Sequence, residues 1–293
     1  MNLTLTVLEI VAPVFLLAGI GFAWVKAGLE YRIQFVTQLA MTLSLPCLIF
    51  VSLMQTRIDP AALTALSLAS VVSYAVVTVV FVILIKALRL QTRTYTAPLI
   101  FGNTGNLGLP LALFAFGEIG LSYAIIVFAI MALWSYTFGI WLVAGAGSFS
   151  KVLREPLVWG TVLGALFLWQ EWETPIFLTN TLTLVGQMAI PMMLITLGVA
   201  VARLSGRGLA FAALLSAIKL ALCVAIAWVV GRYFALDPVA FGVLVLQVAT
   251  PVAVTSYLLA EKYGADAQSV AGLVVASTLM SVGALPLLLA AVL

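Results

Sequence analysis

Histidine is missing from all 293 positions. Its absence removes the commonest general base and metal ligand and argues against zinc or haem chemistry. Charge is scarce too: 8% of residues are Asp, Glu, Lys or Arg, against about 25% in a soluble domain. No Asp or Glu lies deep within any of the apolar runs described below; Glu9 and Glu118 fall near run ends. Cys47 and Cys223 sit inside apolar runs without CxxC spacing and read as small core residues. Without histidine, an intramembrane acid pair or a nucleophile–base pair, no catalytic constellation presents itself. Neither an enzyme nor a bound cofactor or metal is expected.

What fills the chain instead is apolar: 65% of its residues. Such a composition leaves too little polar surface for water, so the lipid bilayer is the expected solvent and no nucleic-acid partner is expected. A span needs roughly 20 apolar residues to cross about 30 Å of hydrocarbon. Runs at 7–25, 35–54, 66–88, 96–116, 120–145, 156–170, 176–201, 209–231, 238–260 and 268–291 predict ten transmembrane helices and no soluble domain. The sixth is the shortest. The first carries no Lys or Arg before Leu8 and no cleavage site, so it reads as a retained helix.

Basic residues alternate from loop to loop. Lys26, Arg32, Lys86, Arg89, Arg93, Lys151, Arg154, Arg203, Arg207 and Lys262 fall on one side, and Arg57 and Arg232 on the other. The basic side is the expected cytoplasmic one, which puts both termini outside.

The chain also repeats. Ser44-Leu45-Pro46 in the second run matches Ala189-Ile190-Pro191 in the seventh, and Pro110 in the fourth matches Pro251 in the ninth. The offsets are 145 and 141 residues, with Pro13 and Pro156 paired at 143. An odd number of spans per repeat turns the second half upside down, an arrangement typical of secondary transporters. Residues 1–145 and 156–293 are the predicted five-helix halves, and 146–155 the cytoplasmic linker.

The candidate site lies at Phe101-Gly102-Asn103-Thr104-Gly105-Asn106-Leu107-Gly108-Leu109-Pro110. Three glycines, two asparagines and a proline at membrane depth predict a broken helix, tolerated only inside protein or beside a cavity. A break brings a half-helix N-terminus to the midplane, and its positive end suits an anion. Asn103, Thr104, Asn106, Gly108 and Pro110 are the expected binding positions, with Gln247, Thr250 and Pro251 in the ninth run. Crossing breaks would put Asn106 and Gln247 in pseudosymmetric places. Lys219, inside the eighth run, is the expected charge-compensating residue. Ser44, Thr196, Thr255, Ser256, Ser277, Thr278 and Ser281 either line a path or bond helix to helix.

Asn103-Thr104-Gly105-Asn106-Leu107-Gly108-Leu109-Pro110 resembles the fourth-helix motif of the auxin efflux carrier family. Thr250-Pro251-Val252-Ala253-Val254-Thr255-Ser256-Tyr257-Leu258-Leu259-Ala260-Glu261-Lys262-Tyr263-Gly264 resembles its ninth, and Ser44-Leu45-Pro46 its helix-two proline. The resemblance implies a bile-acid symporter or sodium/proton antiporter-like fold. It further implies a scaffold of helices 1, 2, 6 and 7, a mobile domain of helices 3–5 and 8–10, and a homodimer through the scaffold. It also implies elevator-type transport of small organic anions such as malonate or malate, or auxin-like acids, across the plasma (bacterial inner) membrane. Carboxylate would bind at Asn103 or Asn106 beside Pro110 and at the backbone before Pro251. The long central loop of many plant members is absent. A sodium-coupled symporter of larger amphipathic anions is the alternative.

Overall fold

The computed structural model of the chain describes residues 3–55, 59–135, 138, 156–203, 208–262 and 264–293. The expected linker 146–155, residues 139–145 of the fifth run, and Arg57, Lys151, Arg154 and Arg207 lie outside them. Among the described residues the structure is helical, apart from turns, connections and one isolated antiparallel bridge between Gly102 and Val252.

Helix α1 (Leu3–Lys26) is followed by α2 (Ile33–Leu39), which runs through a π-helical turn, Ala40–Ser44, into α3 (Leu45–Gln55). Helix α4 (Pro60–Ala87) leads to α5 (Thr92–Ile100), a second π turn, Thr104–Gly108, and α6 (Leu109–Trp134). The second part comprises α7 (Pro156–Trp169), α8 (Ile176–Gln187), α9 (Ala189–Arg203) and α10 (Leu209–Tyr233). It ends with α11 (Pro238–Val248), α12 (Val254–Lys262) and α13 (Ala267–Val292).

Caps fix several of these starts. Asp59 accepts the Ala61 N–H at 2.9 Å ahead of Pro60, so α4 begins there and not at residue 66. Asp237 accepts the Val239 and Ala240 N–H groups, both at 3.0 Å, ahead of Pro238. Asp266 accepts the Ser269 N–H at 3.1 Å and starts α13.

Seven helical stretches among the described residues are long and apolar enough to cross a membrane. Pro156–Trp169 and Pro238–Val248 are apolar but shorter. One of the seven, Thr104–Trp134, is interrupted at Gly117 (φ 66°, ψ −157°), a conformation open to glycine, which divides 109–116 from 118–134.

Close backbone approaches hold the helices together. A Cβ on Gly198 would overlap the Ala18 carbonyl, and one on Gly21 the Ile195 carbonyl, so α1 and α9 meet without side chains between them. A Cβ on Gly160 of α7 would stand 2.7 Å from the Pro46 oxygen, and one on Gly186 of α8 2.9 Å from Leu48 Cα. Small residues at helix crossings are the normal adhesive in lipid, where apolar burial gives little drive. Apolar side chains such as Leu16, Ile83 and Leu287 point outward, as lipid-facing positions do. Helix α11 is the opposite case: every residue from Ala240 to Val248 is buried, so the break that follows it is central.

Candidate functional site: two helix breaks and a cavity

Both expected breaks are present, and they touch. Helix α5 stops at Ile100 and the chain is extended at Phe101 before turning into the π turn at Thr104. Helix α11 stops at Val248, and α12 starts at Val254. Between them the main-chain N–H of Asn103 donates to the Pro251 oxygen at 2.7 Å, beside the Gly102–Val252 bridge. A Cβ on Gly102 would overlap Thr250 Oγ1, so the crossing needs glycine there. From α13, Ser277 Oγ accepts the Val252 N–H at 3.0 Å and satisfies a donor the break has freed.

The first break lies within the expected segment 101–110, at its start and not at its proline. It falls at residues 101–103, and Pro110 lies inside the first turn of α6, where proline needs no N–H partner. The strain of proline against the carbonyl four residues back is taken up by the wider π turn, in which the Gly108 N–H reaches Asn103 O at 3.2 Å. The same device precedes Pro46, after Ala40–Ser44.

A cavity of about 260 Å³ lies against the crossing. Gly102, Asn103, Gly105 and Asn106 line it from one break, and Ala253, Val254, Thr255 and Ser256 from the other. Both sets lie at the starts of half-helices, where leading N–H groups lack the usual intrahelical partner; of these, the Asn103 N–H is taken by Pro251 O and the Ser256 N–H by Ala253 O. Phe128, Met131 and Ser135 of the α6 stretch complete the wall, with Met41, Ala97 and Leu157. None of the described lining residues is ionisable. Ala97 follows Arg93 by one turn and Leu259 precedes Lys262, so the cavity is on the side of the basic loops. A second cavity of about 560 Å³, bounded by Ser52, Gln55, Glu118, Ser122, Gln187 and Pro191, lies between α3, α8, α9 and the 113–122 part of α6, the helix that also lines the first cavity from residues 128–132. Gly105 separates Met193 from Phe128; a Cβ there would stand 3.1 and 3.2 Å from their side chains.

The expected site residues divide into three groups. Asn103 and Asn106 face the cavity. Asn103 is 4% exposed, and its amide nitrogen has no partner among the described residues. Leaving a buried donor unmade costs roughly 1–3 kcal/mol unless something fills the gap. Thr104, Gly108, Pro110 and Gln247 are buried in the crossing itself. Gln247 is not the counterpart of Asn106: its Oε1 sits where a Cβ on Gly108 would be, and its Nε2 donates to Ala124 O at 3.4 Å. Thr250, Pro251 and Lys219 line a separate void of about 10 Å³ with Ser216, Ser277 and Ser281, on the other face of the second break. Thr250 Oγ1 donates to Gln247 O at 2.7 Å, and Lys219 Nζ lies 4.0 Å from Cys223 Sγ. Lys219 is 2% exposed and forms no ion pair with a described acidic residue.

Thr255 and Ser256, expected only as path candidates, line the cavity, whereas Ser277 and Ser281 serve the backbone. Thr196 bonds to Tyr31 and to Met192 O, tying the first connection to α9. Ser135 and Phe128 carried no sequence signal, being ordinary members of an apolar run.

Apolar helices that break in pairs at a shared cavity define a multi-pass membrane transport protein. The chain belongs to the auxin efflux carrier family, described as membrane transport protein, which matches over residues 6–152 and 147–289. It is 28% identical over 193 residues to an uncharacterized transporter of Methanothermobacter thermautotrophicus; that alignment covers 63% of each chain.

Proposed function

We propose that the protein is a secondary transporter of small organic anions, mono- or dicarboxylates such as malonate or malate. The observation that carries this reading is the buried, unpartnered side-chain nitrogen of Asn103, on a residue that lines a cavity where two half-helices begin. Two positive helix ends and a neutral donor favour a negative ligand, and carboxylate matches them in geometry and charge. The volume of about 260 Å³ is below the ~300–1,000 Å³ of drug-sized ligand sites, which favours a compact anion over a bulky amphipathic one.

Mechanistically, the ligand sits against Asn103, Asn106 and the first turn of α12, and Lys219 offsets its charge through the second break. The chain forms ten spans as two inverted halves in the plasma (bacterial inner) membrane, with both termini outside. The cavity beside the basic loops is then the inward-facing site, and the one at Gln55 and Gln187 the outward vestibule. Counted over the ten apolar runs, spans 3–5 and 8–10 carry the site past a scaffold of spans 1, 2, 6 and 7, which also forms a homodimer.

Labelled malonate uptake into proteoliposomes, with potential and pH gradients imposed separately, tests this function. Uptake driven by either gradient and competed by other carboxylates is expected. Folded protein that takes up no carboxylate under any gradient refutes it.

A further inference from the structure

At the far end of α10 from the basic loops, the chain stops in a tight helix-ending turn. The Phe234, Ala235 and Leu236 N–H groups return to the carbonyls of Val230, Arg232 and Gly231, with Ala235 in the left-handed region (φ 47°). This turn holds the Arg232 guanidinium 5.1 Å from the Phe241 ring centroid and 6.0 Å from that of Trp228. The two rings pack edge to face at 5.0 Å. The adjacent acid is already engaged: Asp237 Oδ1 accepts two main-chain N–H groups, and Oδ2 accepts the Tyr123 hydroxyl at 2.9 Å. Arg232 therefore presents its donors without a carboxylate partner among the described residues.

Beside it is a cavity of about 470 Å³, walled by Trp228, Leu236, Pro238, Phe241, Ala291 and Val292. One helical turn from its lining residues, apolar side chains face outward. Val229, one turn before Arg232, is 68% exposed, and Leu287, one turn before Ala291, is 74% exposed. Tyr233, 83% exposed, and Trp228 are residues of the kind that sit at the headgroup level.

We propose that this cavity binds a net-anionic glycerophospholipid, its headgroup phosphate on Arg232 and an acyl chain along Val229 and Leu287. The guanidinium's fixed fork matches phosphate oxygens, and the two rings pre-orient it. A free phosphate would meet one cation in a mostly apolar wall, whereas a lipid also satisfies the apolar flank. A lipid without an ammonium group leaves the cation on Arg232 unopposed, so phosphatidylglycerol should bind more tightly than phosphatidylethanolamine.

Native mass spectrometry of the detergent-purified full chain, titrated with each lipid, tests this. Wild type should hold one phosphatidylglycerol in preference to phosphatidylethanolamine. R232Q should weaken that binding about tenfold, as expected for one lost charge-assisted contact, and R232K should fall between them. A large excess of inorganic phosphate should leave the lipid in place on wild type. Equal binding of the two lipids by wild type overturns the proposal, as does unchanged binding by a monodisperse R232Q. Displacement by inorganic phosphate would assign the site to a free anion and overturn the lipid.

Discussion

The main-chain N–H of Asn103 and the carbonyl of Pro251 meet at 2.7 Å across two different helices, where each helix has lost its own hydrogen-bond partner. A broken helix in hydrocarbon leaves several kcal/mol of unmet backbone demand per group. Here one break supplies the donor and the other the acceptor. Neither break is satisfied alone.

The crossing therefore depends on Gly102, where any Cβ would meet Thr250 Oγ1. Gly102→Ala should lower the thermal unfolding midpoint in detergent, by the equivalent of about 1–3 kcal/mol of overpacking. Thr250→Ala removes the obstructing oxygen, so the double variant should be more stable than the sum of single effects allows. Additive losses would mean that the contact does not limit the crossing.

Asn103 should decide anion binding. Asn103→Ala should reduce carboxylate uptake about tenfold or more, as for a lost hydrogen bond to a charged group. Asn103→Asp, nearly the same shape, replaces a donor with a negative charge and should abolish uptake. Substrate-dependent thermal stabilisation of the purified variants separates binding from misfolding. Equal stabilisation of wild type and Asn103→Asp would remove Asn103 from the site.

Much of this arrangement was readable in the chain because its signals are local. The density of glycine and asparagine at 102–108 announces a break, and apolar runs announce most of the helices, although the start of α4 at Asp59-Pro60 lies ahead of its run at 66–88. The exact location of the break was not readable. Pro110 looks like the breaker, yet the π turn absorbs it, and the chain parts at residues 101–103, where Pro251 from another helix supplies a partner. Gln247 shows the same limit: its position is set by the notch at Gly108, a shape complementarity between residues 139 apart in the chain. The wall made by Phe128, Met131 and Ser135 depends on how α6 is rotated, which an almost uniformly apolar run does not encode.

Ser277 supports the second break from behind. Ser277→Ala would leave the Val252 N–H without its acceptor and should cost roughly 1–3 kcal/mol, read as a lower unfolding midpoint. Uptake should fall in parallel, because the first turn of α12 loses its anchor. Ser277→Thr keeps the hydroxyl and should retain more stability than the alanine variant. A midpoint equal to that of wild type in Ser277→Ala would show that the N–H finds another acceptor.

Lys219 separates a structural from a functional account of buried charge. Its side chain is 2% exposed, with Cys223 Sγ as its neighbour and a void of about 10 Å³ at the second break. A lone ammonium at that depth costs about 3 kcal/mol on insertion scales. Lys219→Met keeps the length, removes the charge and should raise the unfolding midpoint. If the charge serves the bound anion from across the break, the same variant should lose most carboxylate uptake and substrate-dependent stabilisation. Higher stability with lower uptake is the signature of a charge retained for its ligand. Higher stability with full uptake would mean that the ammonium is tolerated and that the half-helix ends and Asn103 carry the anion unaided.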